Sequence, residues 1–248
     1  MSGTVRKYSR GKPASTTISQ KGILGVAQSA LHNKEFLHSP DVGRRSHRGY
    51  HQAAKRGQPC PVLCGYGAGA NTSQHEDVPR QPKPMGRWHP EEWQAAIHEA
   101  DWATIKSRPF VWGSFIWNMF DFTSFWRHEG DTAGLNDKGL VTSDRKIRKD
   151  AFYFYKANWS DEPVLYITSR RFTERTNAVT NVKVYSNLPN VTLLFNGNVV
   201  GRNVPNDECV MVWKNVRLAS GENRVEVRAE DKKEQRELAD QCLWILKR

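Results

Sequence analysis

Pro61-Val62-Leu63-Cys64-Gly65-Tyr66-Gly67-Ala68-Gly69 and Phe110-Val111-Trp112-Gly113-Ser114-Phe115-Ile116-Trp117-Asn118-Met119-Phe120-Asp121-Phe122 decide how this chain folds. Each is a short, nearly continuous apolar run that ends in small or polar residues. That is the pattern of a strand buried on both faces of a parallel sheet. Between them, His89-Pro90-Glu91-Glu92 marks a helix start: proline suits the first helical position, and acids in the first turn suit the helix dipole. Ala96, Ile97, Ala100, Ala103 and Ile105 then recur at spacings of three and four, which predicts a helix to about Arg108 with these residues as its apolar face. Strand, helix, strand makes one βαβ unit.

Downstream, residues 123–138 read as a polar loop, and a second helix is expected from about Arg148 to Asn158, with Ala151, Phe152, Phe154 and Tyr155 as its apolar face. After Trp159 the pattern changes to short strands separated by turn residues: 164–168, 182–186, 191–195, 210–213, 224–228 and 242–246. Asn196-Gly197 suits a tight hairpin, and Gly221-Glu222-Asn223 reads as another turn. Strands at this spacing predict an antiparallel sandwich of immunoglobulin-like type.

Upstream, the composition is different. The chain has 248 residues and a formal charge of +11. Residues 1–60 hold 5 Lys and 6 Arg against Glu35 and Asp41, a net of +9, so the remaining residues carry only +2. Residues 1–58 lack sustained apolar periodicity, and only Ile23 to Leu31 could nucleate a short helix. A segment of this kind cannot bury enough surface to offset chain entropy, so disorder is expected. The abrupt change near Gln58 also fits a head that is not cognate to the rest of the chain. The basic charge comes with no nucleic-acid-binding motif and little aromatic interleaving, which argues against a nucleic-acid partner. No run is long enough to span a membrane, and Ile23 to Ala30, interrupted by Gln28, makes a poor signal-peptide core. Cys60, Cys64, Cys209 and Cys242 lack zinc spacing and read as structural thiols. His89, His98 and Glu99 lack the spacing of a helical zinc site and read as surface groups, so no metal or other cofactor is expected.

Leu63-Cys64-x-Tyr66, Phe115-Ile116-Trp117-Asn118-x-x-Asp121-Phe122 and Asn136-Asp137-Lys138-Gly139-Leu140-Val141-x-x-Asp144-Arg145 together resemble glycoside hydrolase family 2, the β-galactosidase and β-glucuronidase group. The resemblance runs from about Pro59 to the end and is nearest to bacterial β-galactosidase-like members with an added sandwich domain, which implies a bacterial cytoplasm or periplasm. It implies that residues 59–160 are the last strands and helices of a (β/α)₈ TIM barrel, whose site gathers at the C-terminal strand ends. Residues 161–248 would be the sandwich, and 1–58 a disordered or non-cognate head. The implied activity is retaining hydrolysis of terminal β-galactosides, with a β-glucuronidase or galacturonidase type and a non-catalytic carbohydrate-binding remnant as the alternatives. The implied partner is a β-galactoside or a uronic-acid-containing glycan.

The resemblance also implies site residues. The family nucleophile is a glutamate at the position of Gly65, and a hydrogen atom cannot attack an anomeric carbon. The acid/base glutamate belongs to an earlier strand, which nothing before Cys60 resembles. Retaining glycosidases need both carboxyls, so turnover by this chain alone is not expected. Glu76, beside His75, is a candidate stand-in, whereas Glu91, Glu92 and Glu99 are acids of a helix outside the site. Trp117 matches the tryptophan that walls the sugar ring. Asn118 and Asp121 would orient loops or the floor of the site. Tyr66 matches the tyrosine that bonds the nucleophile, and here would bond only water or sugar. Asn136 and Lys138 match an Asn-x-Lys that grips a uronate carboxylate in β-glucuronidases, although similar loops occur in members labelled β-galactosidases.

Overall fold

Residues 62–83, 85–108, 111 and 113–247 are described by a computed structural model of the chain. The expectations for residues 1–58 and for Cys60 fall outside them. All described residues belong to one compact unit, Ser46–Arg248.

β1 (Val62–Tyr66) and β2 (Gly113–Ile116) pair in parallel, and α1 (Glu91–Lys106) connects them in the chain. β2 is far shorter than the apolar run from 110 to 122. After Trp117 the backbone leaves β1, the Trp117–Asn118 peptide is cis, and the next residues bond to the segment 138–141 instead. Asn118 N–H donates to the Lys138 carbonyl (3.3 Å), and Asp121 N–H to that of Val141 (2.9 Å). In return Leu140 and Val141 donate to the carbonyls of Asn118 (3.0 Å) and Met119 (3.0 Å). Nor is the pair buried on both faces. Leu63 and Ile116 pack toward the helices, while Phe115 is 64 % exposed, Trp117 50 % and Met119 47 %. The expected loop at 123–138 holds a two-residue ladder, β3 (Phe122–Thr123) against β4 (Leu135–Asn136), and a short 3₁₀ turn at Glu129–Asp131.

α1 buries a face that shares only Ile105 with the one its apolar periodicity picks out. Its buried residues are Glu91, Glu92, Gln94, Ala95, His98 and Ile105, whereas Ala100 is exposed. The spacing of three and four is kept, but the stripe is mostly polar. It can be buried because most of its polar groups are met; among the described residues Gln94 Oε1 and His98 Nε2 are the exceptions. Glu91 takes Arg171 and the N–H of Asp150 (2.8 Å), Glu92 takes His75 (3.0 Å), Gln94 Nε2 donates to the carbonyls of Ala68 (2.8 Å) and Gly139 (3.1 Å), and His98 meets Tyr155. α2 (Asp150–Trp159) buries Ala151, Phe154, Tyr155 and Ala157, close to expectation.

The remaining strands form two sheets. One has the order β10-β7-β5 and the other β6-β12-β11-β8-β9. The members are β5 (Leu165–Ile167), β6 (Glu174–Arg175), β7 (Val179–Ser186), β8 (Val191–Phe195), β9 (Asn198–Asn203), β10 (Val210–Arg217), β11 (Gly221–Asp231) and β12 (Arg236–Leu246). β6 and β9 carry no clear apolar alternation, and β10 to β12 extend well past their apolar cores. Gly221-Glu222-Asn223 opens β11 rather than turning the chain. Val182, Val184, Leu193, Val225, Val227 and Trp244 lie between the sheets at 1 % exposure or less. A second core joins Tyr66, Leu140, Phe154 and Tyr155 to Tyr166 and Tyr185 of the three-stranded sheet, so the helical layer and the sandwich share apolar surface.

Candidate functional site

The C-terminal ends of β1 and β2 meet the 136–141 loop through backbone hydrogen bonds. Trp117 N–H donates to the Tyr66 carbonyl (2.9 Å), and the Asn118–Lys138 bond ties the loop to the same point. Gly139 makes the approach possible. A Cβ there would stand 2.0 Å from the Asp121 backbone nitrogen and 2.3 Å from the Phe120 carbonyl carbon, so any side chain would force the loop away. Backbone bonds thereby link the segments that carry Gly65, Tyr66, Trp117, Asn118, Asp121, Asn136 and Lys138.

Gly65 sits at a bulge between Cys64 and Tyr66 with φ +77°. An added Cβ would meet nothing within 4 Å, so the position opens onto free space and presents no reactive group. Trp117 is half exposed and edge-on to Phe122, with ring centroids 6.1 Å apart. A flat indole face therefore remains exposed at the C-terminal end of β2. Tyr66 departs from expectation: it is buried, and its hydroxyl accepts from Tyr155 (3.2 Å) rather than from water or sugar. Burial pushes its hydroxyl pKa up. Behind it, His98 Nδ1 lies 3.0 Å from the Tyr155 hydroxyl while its Nε2 is buried without a partner among the described residues. Burial, then the Lys149 charge, push His98 down to about 3, so the ring is neutral. His89 and His98 are therefore core groups, not surface ones.

The loop is fixed from beneath by a lysine that sequence reading missed. Lys149 is fully buried, and its ammonium donates to Asp121 Oδ1 (2.8 Å) and to the carbonyls of Ala70 (2.7 Å) and Asp137 (2.8 Å). Asp121 also accepts from Gly139 N–H (2.8 Å), so it does orient the loop. Burial raises its pKa, and Lys149 opposes that shift. Asp137 Oδ2 lies 2.8 Å from His89 Nδ1. A lone lysine just ahead of a helix carries no local signal of this role, since its partners lie 12 to 79 residues away.

Asn136 is buried, and its side-chain oxygen accepts from Lys138 N–H (3.1 Å), which shapes the turn. Asn118 Nδ2 donates to the Phe120 carbonyl (2.8 Å). Lys138 does not face solvent freely: its ammonium stands 2.9 and 3.1 Å from the two oxygens of Glu129, which Arg127 also holds. The arrangement can present an aromatic wall and a cation, and the described acids at the loop, Asp121, Asp137 and Glu129, are each paired.

Glu76 does not stand in. Its carboxylate accepts from Trp88 Nε1 (2.6 Å) and Arg80 N–H (3.2 Å), and it lines a separate cleft of about 400 Å³ with Asn177, Val179 and Lys183 of the sandwich. Glu91 and Glu99 do more than shape a helix, binding Arg171 and Lys183 of the sandwich. Among the described residues no group of three or more His, Cys, Asp or Glu is placed to hold a metal ion, and no helix is long and apolar enough to cross a membrane. Cys209 and Cys242 are free thiols.

Comparison with known proteins places these features. Residues 177–236 match a family model described as Domain of unknown function (DUF4982). A β-glucuronidase of Bacteroides fragilis is 48 % identical over 169 residues, which is 68 % of this chain and 24 % of that protein. The chain thus spans about a quarter of the length of that relative. Among crystal structures, a Bacteroides fragilis protein assigned as a β-galactosidase is 35 % identical with a TM-score of 0.72, over 79 % of this chain and 29 % of that one. An FMN-binding β-glucuronidase from Faecalibacterium prausnitzii is 34 % identical with a TM-score of 0.70, over 83 % and 30 %.

Proposed function

Because the chain is of the glycoside hydrolase family 2 type, with β-glucuronidases and β-galactosidases as its relatives, we propose that it recognises a sugar at the strand ends around Trp117 and does not hydrolyse glycosides by itself. The observation that supports this reading is Gly65, which opens onto free space where the family mechanism calls for a carboxylate, while Trp117 is exposed at the end of the neighbouring strand. Retaining hydrolysis places two carboxyls about 5 Å apart across the glycosidic bond. Three described acids around the 136–141 loop are held by cations or an imidazole: Asp121 by Lys149, Asp137 by His89 through one of its two oxygens, and Glu129 by Lys138 and Arg127. On this reading β1, α1, β2 and α2 belong to the closing part of a (β/α)₈ barrel, and the two sheets form an immunoglobulin-like domain.

For the sugar class, Lys138 and the Asn136 turn favour a uronate, since an ammonium prefers an anion to a hydroxyl. The 48 % identity to a β-glucuronidase supports the same choice. A neutral β-galactoside is the second reading, favoured by the relative assigned as a β-galactosidase. The test is to offer the purified chain nitrophenyl β-glucuronide and β-galactoside, and in parallel to titrate glucuronate and galactose by NMR. Saturable binding without hydrolysis above buffer is expected, with glucuronate the tighter ligand. Hydrolysis that follows the protein through purification overturns the inactive reading, and a preference for galactose overturns the uronate one.

A further inference from the structure

Lys138 already holds a carboxylate, and it belongs to the chain itself. Glu129 is 1 % exposed, and both its oxygens bond the Lys138 ammonium, while Arg127 also pairs with Oε1. The Lys138 side chain is 26 % exposed and that of Arg127 34 %. A buried carboxylate stripped of every cation costs several kcal/mol, so a single lysine could not leave Glu129 to reach a ligand. Here there are two cations for one anion, and the cluster keeps one unit of net positive charge.

Resting on the uronate reading above, we infer that Glu129 is an internal counter-anion that Lys138 exchanges for the sugar carboxylate, with Arg127 as the positioning residue that keeps Glu129 paired during the exchange. Before exchange, Glu129 has two cations and the ligand has none; afterwards each carboxylate has one. No charge is left buried alone at either end. A neutral sugar offers Lys138 nothing in return for Glu129, so the device discriminates against it. Arg127 acts through Glu129 and does not touch the ligand.

The full chain is compared with Glu129→Gln, Arg127→Ala and the double variant, using sodium glucuronate and galactose as probes and following lysine Nζ and arginine Nε resonances. In the Glu129→Gln chain Lys138 is released and a like charge is removed, so glucuronate should bind about tenfold more tightly. In the Arg127→Ala chain Lys138 becomes the sole cation on Glu129, and binding should weaken about tenfold. The double variant should return to the level of Glu129→Gln, because without Glu129 there is nothing for Arg127 to hold. Weaker binding in Glu129→Gln overturns the exchange. So does an equal loss on Arg127→Ala in both backgrounds, which would put Arg127 on the ligand. Should the Glu129 variants fail to fold, the native chain decides: glucuronate must move the Lys138 resonance, and galactose must move neither it nor that of Arg127; a Lys138 resonance that glucuronate leaves in place overturns the exchange. If glucuronate binds no better than galactose in any of the proteins, the uronate reading itself fails. If it binds better but all four proteins bind it equally, only the exchange fails.

Discussion

Asp101 on α1 is the sharpest place to test the energetics of this layer. Its carboxylate has no hydrogen bond and no ion pair among the described residues, and it lies close enough to Tyr66 and Tyr155 to raise both hydroxyls. Burial alone pushes it from 3.8 to about 7. A folded-state value above the unfolded one means that the folded chain keeps a proton the unfolded chain has lost. Stability from this group is therefore full below pH 4 and falls as pH rises through 7. The gap corresponds to about 4 kcal/mol at most. His98 works in the opposite sense. Its value falls from 6.5 to about 3, so the unfolded chain binds the extra proton and stability rises with pH over that range, by up to roughly 5 kcal/mol. In the native chain the two slopes largely cancel between pH 4 and 6.5. Asp101→Asn removes one of them. At pH 8 the variant should be more stable by up to about 4 kcal/mol, and at pH 4 it should match the native chain. With a urea slope of about 2 kcal/mol/M, the pH 8 difference moves the midpoint by about 2 M. Urea unfolding at five pH values from 4 to 8 reads this directly. A variant less stable than the native chain at pH 8, or one with the same pH slope, refutes the reasoning.

Three further outcomes are expected. Gly65→Glu should fold with a penalty of about 1–2 kcal/mol, because φ +77° is a left-handed conformation while the added Cβ meets open space; it should still give no hydrolysis of nitrophenyl glycosides, and turnover there would reveal a second acid in place. Lys149→Met should lose about 3–5 kcal/mol in urea unfolding, since Asp121 and two carbonyls are left buried without their donor. Trp117→Ala should abolish glucuronate binding by NMR while shifting the unfolding midpoint little, because the side chain is half exposed; a large loss of stability would return Trp117 to a core role.

What the sequence made legible was whatever its neighbours in the chain specify. β1 and the start of α1 follow from an apolar run and from Pro90-Glu91-Glu92. The β8–β9 hairpin follows from Asn196 and Gly197, which adopt φ +50° and +81° as a tight turn between twisted strands demands. What stayed hidden was set by partners far along the chain. The buried stripe of α1 runs through Glu91, Gln94 and His98, whose partners stand 45 to 80 residues away in the cases of Gly139, Tyr155 and Arg171. A periodicity search rewards alanine and isoleucine over glutamate and histidine, and so it turned the helix to the wrong face. β2 was overread for a related reason: the 110–122 run is apolar throughout, yet from Asn118 its backbone bonds to residues 138–141.

The same polar bookkeeping bears on whether the site can do chemistry. A carboxylate that is to attack or protonate must be free to change its bonding during the reaction. Asp121, Asp137 and Glu129 are instead committed to holding the loop around Lys138 and Gly139 in place, each against a buried or half-buried cation or imidazole. Withdrawing any of them for chemistry would leave Lys149, His89 or Lys138 short of its partner and loosen the contact between the 136–141 loop and Trp117. Asp101 is a carboxylate without such a commitment, but it stands on α1 beside the buried hydroxyls of Tyr66 and Tyr155, in the helical layer rather than at the strand ends. The geometry that fixes the 136–141 loop is therefore the reason that Asp121, Asp137 and Glu129 are not free for chemistry.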